Sequence, residues 1–268
     1  GPGAIHLLNG LYEAKADNTP LIVITGGTST DLMNSSFQQD VNLLQLFSDV
    51  SVYNSIIGSP QQAEMAVDIA CRTAIVRKGV SHLNIPTDVQ EQKLEGHYSR
   101  HKVPGHTADI FVTPTSADRK LIEKTAEILN NGKKIVILVG QGALNASEEV
   151  ICVAEKLNAP IIKAMLGKAV IPDDHPYSLG GIGLLGTEPS SDAMAESDTL
   201  FMVGTSFPYI EYLPKPGQAI GIQIDIKPER IGLRYPVEVG LIGDSKLVLL
   251  SLLSSVSEKS DLDFLRSV

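Results

Sequence analysis

The chain has 268 residues, 43% of them apolar, 20% charged and 5% aromatic, with no Trp. At about 150 residues per domain that is room for two domains, and the composition excludes a disordered chain or a coiled coil. Acidic residues outnumber basic ones 31 to 22, a net charge of −9, which argues against a nucleic-acid backbone or an anionic membrane as partner.

No run of about 18 apolar residues marks a transmembrane helix, and no basic and then apolar leader marks a secretory signal. Residues 3–15 place Ile5, Leu8 and Tyr12 at helical spacing. Residues 20–25 are a short apolar run closed by Gly26-Gly27, the pattern of a strand buried on both faces. Residues 28–40 are polar and irregular, and 50–56 alternate as a strand does. Ser59 as N-cap and Pro60 at the first helical position open a helix to Lys78, with Gly79 as its C′ residue. Residues 81–85 form a strand ended by Pro86.

From 86 to 113 apolar periodicity disappears, which reads as an interdomain linker. His97 and His101 lie four apart there, but in a loop context that fits surface histidines rather than a metal site. Beyond it Ser116 caps a helix to Asn131, followed by a β-branched strand at 134–140, a helix to Leu157 and a strand at 159–165. Residues 167–191 are rich in Gly and Pro. Three further strands follow at 199–204, 219–226 and 238–243, then a helix from Asp244 to Leu253 and a polar tail at 257–268. Strands alternating with helices imply two doubly wound, mostly parallel α/β domains, the first incomplete, joined by a long linker. The expected limits are 1–90, a linker at 91–113, and 114–256, with 257–268 opening a further linker. Cys71 and Cys152, each flanked by apolar residues in a helical pattern, read as buried reduced thiols, and no Cys-x-x-Cys pair supports zinc or thiol redox chemistry.

In open parallel sheets ligands bind beyond the carboxyl ends of the strands, so the loops at strand exits are the candidates. Gly140-Gln141-Gly142 follows the 134–140 strand, and glycines there allow close backbone approach, although Asn145 replaces the third glycine of a dinucleotide fingerprint. A literal G-x-G-x-x-G occurs at Gly181, Gly183 and Gly186, but the residues before it do not read as a strand. It is either a flexible loop or one laid along an extended ligand with its amides facing polar atoms. Thr205 to Tyr209 offer two hydroxyls, an aromatic and a proline to a bound ring. Asp225 ends an apolar strand, where an acid accepts from ribose hydroxyls or caps the turn at Pro228; Asp244 closes the next strand in the same way.

Read together, these residues resemble the thiamine-diphosphate enzymes of the pyruvate oxidase and acetohydroxyacid synthase superfamily. Residues 1–11 (GPGAIHLLNGL) are similar to the GPG-x-x-H-L-x-x-G-L stretch of its pyrimidine-binding domain, and LNIPTD at 83–88 to the L-P-x-D that ends it. Phe37-Gln38-Gln39 resembles the F-Q-E of that family, with Gln39 in place of Glu. Gly140-Gln141-Gly142, His175-Pro176-Tyr177, Gly183 to Gly186, Thr205 to Tyr209 and Gln223 to Ile226 follow in the family's order. Phe207-Pro208-Tyr209 most resembles the pyruvate oxidase and pyruvate:quinone oxidoreductase branch.

The resemblance implies an FAD-binding second domain. Gly140 and Gly142 would approach the dinucleotide, Ile182, Gly183, Leu184 and Leu185 with Thr205, Ser206, Phe207, Pro208 and Tyr209 would line it, and Asp225 and Asp244 would hold its adenosine end. Phe37 and Gln38 match family positions near the thiazolium and the substrate. The family's catalytic Glu and its GDG motif, which holds Mg²⁺ and the diphosphate of thiamine diphosphate, are not in this sequence. A fragment of a larger enzyme, inactive alone, is therefore expected. The implied parent oxidatively decarboxylates pyruvate with a quinone or O₂ as acceptor, as a homodimer or homotetramer, in the cytoplasm or peripheral to the inner face of the membrane. An acetohydroxyacid-synthase-like carboligase with structural FAD and a non-catalytic nucleotide-binding module are the alternatives.

Overall fold

The computed structural model describes residues 1–94 and 113–268, which divide into two compact units, residues 1–112 and 113–268. Most of the expected linker, with His97 and His101, lies outside the described residues. Among the described residues no helix is long and apolar enough to cross a membrane.

Unit 1 runs α1 (Pro2–Ala16), β1 (Leu21–Gly27), α2 (Leu43–Leu46), β2 (Ser51–Ile56), α3 (Pro60–Arg77), β3 (Val80–Pro86) and α4 (Thr87–Glu91). Its three strands are parallel, in the order β1-β3-β2. Proline in the first turn starts both α1 and α3, where a missing N–H costs nothing. The expectation that β1 is buried on both faces fails: Val23 and Thr25 are buried, whereas Ile22 is 38% and Ile24 59% exposed. β1 is an edge strand, and α3 packs Ala66 and Ala70 with Leu83 and Ile57, which leaves the outer face of β1 uncovered. The left-handed residue ending α3 is Lys78 (φ 49°), not Gly79. Gly79 is needed for space instead, since a Cβ there would sit 2.8 Å from Val52 Cγ1. Residues 87–91, expected to open the linker, form α4; Thr87 Oγ1 donates to Gly27 O at 2.7 Å and Thr30 Oγ1 to Asp88 at 2.6 Å.

A polar cluster sits inside unit 1. His82 is fully buried and stacks on Phe47 at 4.1 Å. Asn54 Nδ2 donates to Leu44 O at 2.6 Å, so its Oδ1, 2.7 Å from His82 Nδ1, must accept. Nδ1 of His82 therefore carries a proton, and Nε2 lies 2.8 Å from Thr25 Oγ1, which also lies 3.3 Å from Asn84 Oδ1. Burial of His82 pulls its pKa down from 6.5 to about 4, so the ring is neutral near pH 7 and Nε2 is the acceptor for the Thr25 hydroxyl.

Unit 2 comprises α5 (Arg119–Asn131), β4 (Ile135–Val139), α6 (Ser147–Leu157), β5 (Ile161–Lys163), β6 (Ser178–Gly181), α7 (Glu188–Glu196), β7 (Thr199–Val203), β8 (Ile220–Asp225), β9 (Val239–Ile242), α8 (Ser245–Leu253) and α9 (Asp263–Ser267). The six strands are all parallel in the order β6-β5-β4-β7-β8-β9. The chain thus winds outward from β4 to β6, returns, and winds outward again from β7 to β9. That is the doubly wound dinucleotide-fold order, with its switch point between β4 and β7. β4 and β7 are buried along their whole length. Ile135, Ile137 and Val139 face one core with α5, α6 and α8; Val136 and Leu138 face the other with Met194.

Several local expectations for this unit change. The cap of α5 is Asp118, whose carboxylate accepts from Lys120 N at 2.8 Å, rather than Ser116. β6 and the start of α7 lie in the Gly- and Pro-rich stretch, so the G-x-G-x-x-G, expected to lack a preceding strand, begins at the end of β6 and leads into α7. The tail is tied down: Lys259 N donates to Lys156 O, Asn158 Nδ2 donates to the carbonyls of Lys259 and Asp261, and Phe264 is buried in the second core. Cys152 is exposed, because α6 turns Val150, Val153, Ala154 and Leu157 inward instead, and Cys71 in α3 is half-buried.

Candidate functional site

The carboxyl edge of the unit 2 sheet is built from the exits of its strands. At the switch point two glycine loops are laced together. Gly140 N donates to Val203 O at 3.0 Å and Gly142 N to Gly204 O at 2.8 Å. A Cβ on Gly140 would sit 2.6 Å from Gly204 O and Thr205 Cα, and one on Gly142 2.7 Å from Gly204 Cα. Gly204 adopts φ 57° in the same contact. The glycines thus serve backbone-to-backbone approach of two loops, leaving Gln141 and Gly142 at the surface.

Beyond β6, Ile182 is buried and Gly183, at φ 113°, lies beside the Phe207 ring, while Leu184 and Leu185 are 88% and 85% exposed. Gly186 N donates to Gly183 O at 2.8 Å, which closes the turn before α7. After β7, Thr205 is buried and its Oγ1 accepts from Phe207 N at 3.2 Å. Phe207 is buried edge-on to Tyr209 at 5.5 Å, with Ser206, Pro208 and Tyr209 exposed. A cavity beside this loop is lined by Met202, Thr205, Phe207, Leu213, Gln223 and Arg230.

Asp225 is buried at the end of β8. Its Oδ1 accepts from Lys227 N at 2.9 Å, and burial raises its pKa against the opposing pull of that amide and of Arg230. Asp244 accepts from Leu247 N at 3.2 Å as the N-cap of α8. Each acid thus holds a turn, the role weighed against ligand binding in the sequence reading of Asp225.

Sequence reasoning overlooked other parts of this edge. Leu144 after β4, Met165 (70% exposed) and Leu166 after β5, and Ile226 after β8 also present uncovered apolar side chains. Every strand exit around the switch point therefore offers apolar surface, glycine backbone or a hydroxyl. Such an edge suits a long ligand with an apolar body and a hydroxylated end. Among the described residues no group of three His, Cys, Asp or Glu is placed to hold a metal ion.

Phe37 and Gln38 belong to unit 1, both exposed, in the turns between β1 and α2. Their backbone neighbourhood is unusual: Asn34, Ser36 and Gln39 all have positive φ, at 59°, 62° and 63°. Non-glycine residues there carry local strain, and Gly1 leaves no room for a side chain against Gln39 O.

The fold defines a protein of two parallel α/β units, the second with the dinucleotide strand order, and comparison with known proteins gives the family. Residues 122–252 match the thiamine pyrophosphate enzyme central domain, and residues 1–46 the thiamine pyrophosphate enzyme N-terminal TPP binding domain. The chain belongs to the thiamine-pyrophosphate-dependent enzyme family. It is 40% identical over its whole length to the "Putative thiamine pyrophosphate-containing protein YdaP" of Bacillus subtilis, covering 45% of that protein. It is 33% identical to the "Probable acetolactate synthase large subunit" of Methanococcus aeolicus (93% of this chain, 42% of that protein) and 28% identical to the pyruvate oxidase of Lactiplantibacillus plantarum (97% and 43%). The crystal structure of benzoylformate decarboxylase from Polynucleobacter necessarius shares the fold, with a TM-score of 0.73 at 21% identity over 93% of this chain and 47% of that one. The chain spans less than half the length of each of these proteins.

Proposed function

We propose that the polypeptide carrying this chain oxidatively decarboxylates pyruvate with thiamine diphosphate, Mg²⁺ and FAD, and that unit 2 is its FAD-binding domain. The observation that carries the reading is the carboxyl edge of the β4–β9 sheet. It has the dinucleotide strand order, laced glycine loops at the switch point, and uncovered Leu184, Leu185 and Met165 on neighbouring exits. These residues fit an extended dinucleotide. When bound, thiamine diphosphate provides the electron sink for loss of CO₂ from a 2-oxo acid, and FAD takes up the electron pair.

The chain's own residues bind and orient. Leu184, Leu185 and Tyr209 would cover the apolar body of the dinucleotide and exclude water from it. Asp225 would accept from ribose hydroxyls; a carboxylate whose pKa burial has raised gains from every added donor. Asp244, already the cap of α8, would meet the same end. Phe37 and Gln38 would approach the substrate from unit 1. A quinone or O₂ as acceptor, assembly as a homodimer or homotetramer, and a cytoplasmic or inner-face location go with this reading. The similarity to the Methanococcus aeolicus protein supports a second reading, an acetolactate-forming carboligase in which FAD is structural.

The test is anaerobic addition of pyruvate to the protein loaded with thiamine diphosphate, Mg²⁺ and FAD. Bleaching of the visible flavin band is the expected result. An unchanged flavin with acetolactate formed would replace the oxidase reading by the carboligase one, and bound FAD with no turnover would leave a nucleotide-binding module.

A further inference from the structure

Lys163 ends β5, and its side chain is only 2% exposed. A lysine is rarely so buried without a specific partner. Its ammonium donates to Ile171 O at 3.2 Å and to the carboxylate of Asp173, a residue whose own side chain is 64% exposed. Lys168 adds a second, looser pairing to Asp173 at 3.5 Å. The hydrogen bond and charge of Lys163, with the Lys168 charge behind them, hold the Asp173 carboxyl below the usual carboxylate range.

The same residue holds two other parts of the carboxyl edge through its main chain. Lys163 pairs with Val139 of β4 and with Gly181 of β6, and its carbonyl accepts from Ile182 N at 3.3 Å. The next amide, Ala164 N, donates to Val139 O at 2.9 Å. The segment that Lys163 Nζ ties down, 164–173, carries Met165 and Leu166, and it also carries Gly167, where a Cβ would sit 2.8 Å from Gly140 Cα. One side chain thus fixes the β5 exit loop at its far end, while its backbone fixes the start of the β6 exit loop that carries Leu184 and Leu185.

We propose that Lys163 is a positioning residue for the dinucleotide crevice: its ammonium locks the 164–173 loop against the sheet and so sets the separation of the Met165 wall from the Ile182–Leu185 wall. It touches no ligand. This rests on the reading of unit 2 as an FAD domain only for its consequence; the loop geometry stands without it.

The experiment uses the full chain and two variants, Lys163→Met, which keeps the length and removes the ammonium, and Asp173→Asn, an exposed change that keeps an acceptor and removes the charge. Amide hydrogen exchange is read without ligand, and FAD affinity by titration. Exchange in 164–173 and 182–187 is expected to rise about tenfold in Lys163→Met and less in Asp173→Asn, with β7 and β8 unchanged; FAD affinity should fall about tenfold in Lys163→Met. If Lys163→Met accelerates exchange throughout unit 2, the local rise in Asp173→Asn decides, and its absence overturns the proposal. FAD binding that is equal in wild type and Lys163→Met also overturns it. No FAD binding in wild type, with the local exchange effect present, removes the function proposed for unit 2 and leaves the loop-locking role of Lys163 standing.

Discussion

Unit 1 and unit 2 use the same alternation of parallel strand and helix, yet they bury it differently. The central strands of unit 2, β4 and β7, are covered on both faces by two continuous cores. In unit 1 the corresponding apolar material is split between two small clusters. β2 is half-buried throughout and β1 shows Ile22 and Ile24 to solvent. Unit 1 instead places a neutral histidine network at its centre. The difference teaches that a parallel sheet gains from both-face burial only when it has enough strands to seat helices on each side. Among the described residues of unit 1 the polar cluster of Thr25, Asn54 and His82 lies beside the two small apolar clusters.

The comparison can be broken or sharpened by substitution. The largest effect should come from Phe201→Ala in β7, a fully buried ring in unit 2, at about 4 kcal/mol. Denaturant titration should show the loss in unit 2 alone; an equal loss in unit 1 would mean the two are not separate cores. Next comes pH. His82 is neutral in the fold, with its pKa lowered to about 4 from 6.5. The unfolded chain therefore takes up the proton first, and unit 1 is fully stable above about 6.5 and loses roughly 3 kcal/mol as pH falls towards 4. His82→Phe should flatten that slope in a pH series of unfolding midpoints, and a slope that persists would place its origin elsewhere. Gly204→Ala should cost about 2 kcal/mol, from its positive φ and from the lost approach to Gly142, and should loosen the exits of β4 and β7. The smallest effect is Asp244→Ala, which removes the cap of α8 at about 1 kcal/mol, read as a shift in thermal midpoint.

Much of unit 2 is readable in its sequence because β-branched runs such as IVILV at 135–139 and GIQID at 221–225 announce buried parallel strands. β6 escaped because Ser178-Leu179-Gly180-Gly181 has no β-branched residue and sits at the sheet edge, where little burial is demanded. Ser116 and Asp118 are both good caps, and only the path of the backbone chooses Asp118. In unit 1 the run at 20–25 looks doubly buried because apolar content cannot report what lies opposite it.

The glycine loops of the site were legible as glycines at strand exits, although the space they save is taken by a neighbouring loop. Met165 and Lys163 were not legible, since in APIIKAM they read as the last residues of a strand. Only the fold shows that one is left uncovered and the other turned inward.

The most direct test of the central claim is an equilibrium titration of the purified chain with FAD, followed by flavin fluorescence, beside the Asp225→Ala variant. Saturable binding at one FAD per chain, weakened about tenfold in the variant by loss of a charged acceptor, is the predicted result. No binding, or binding that Asp225→Ala leaves unchanged, would contradict the assignment of the β4–β9 edge as the dinucleotide site.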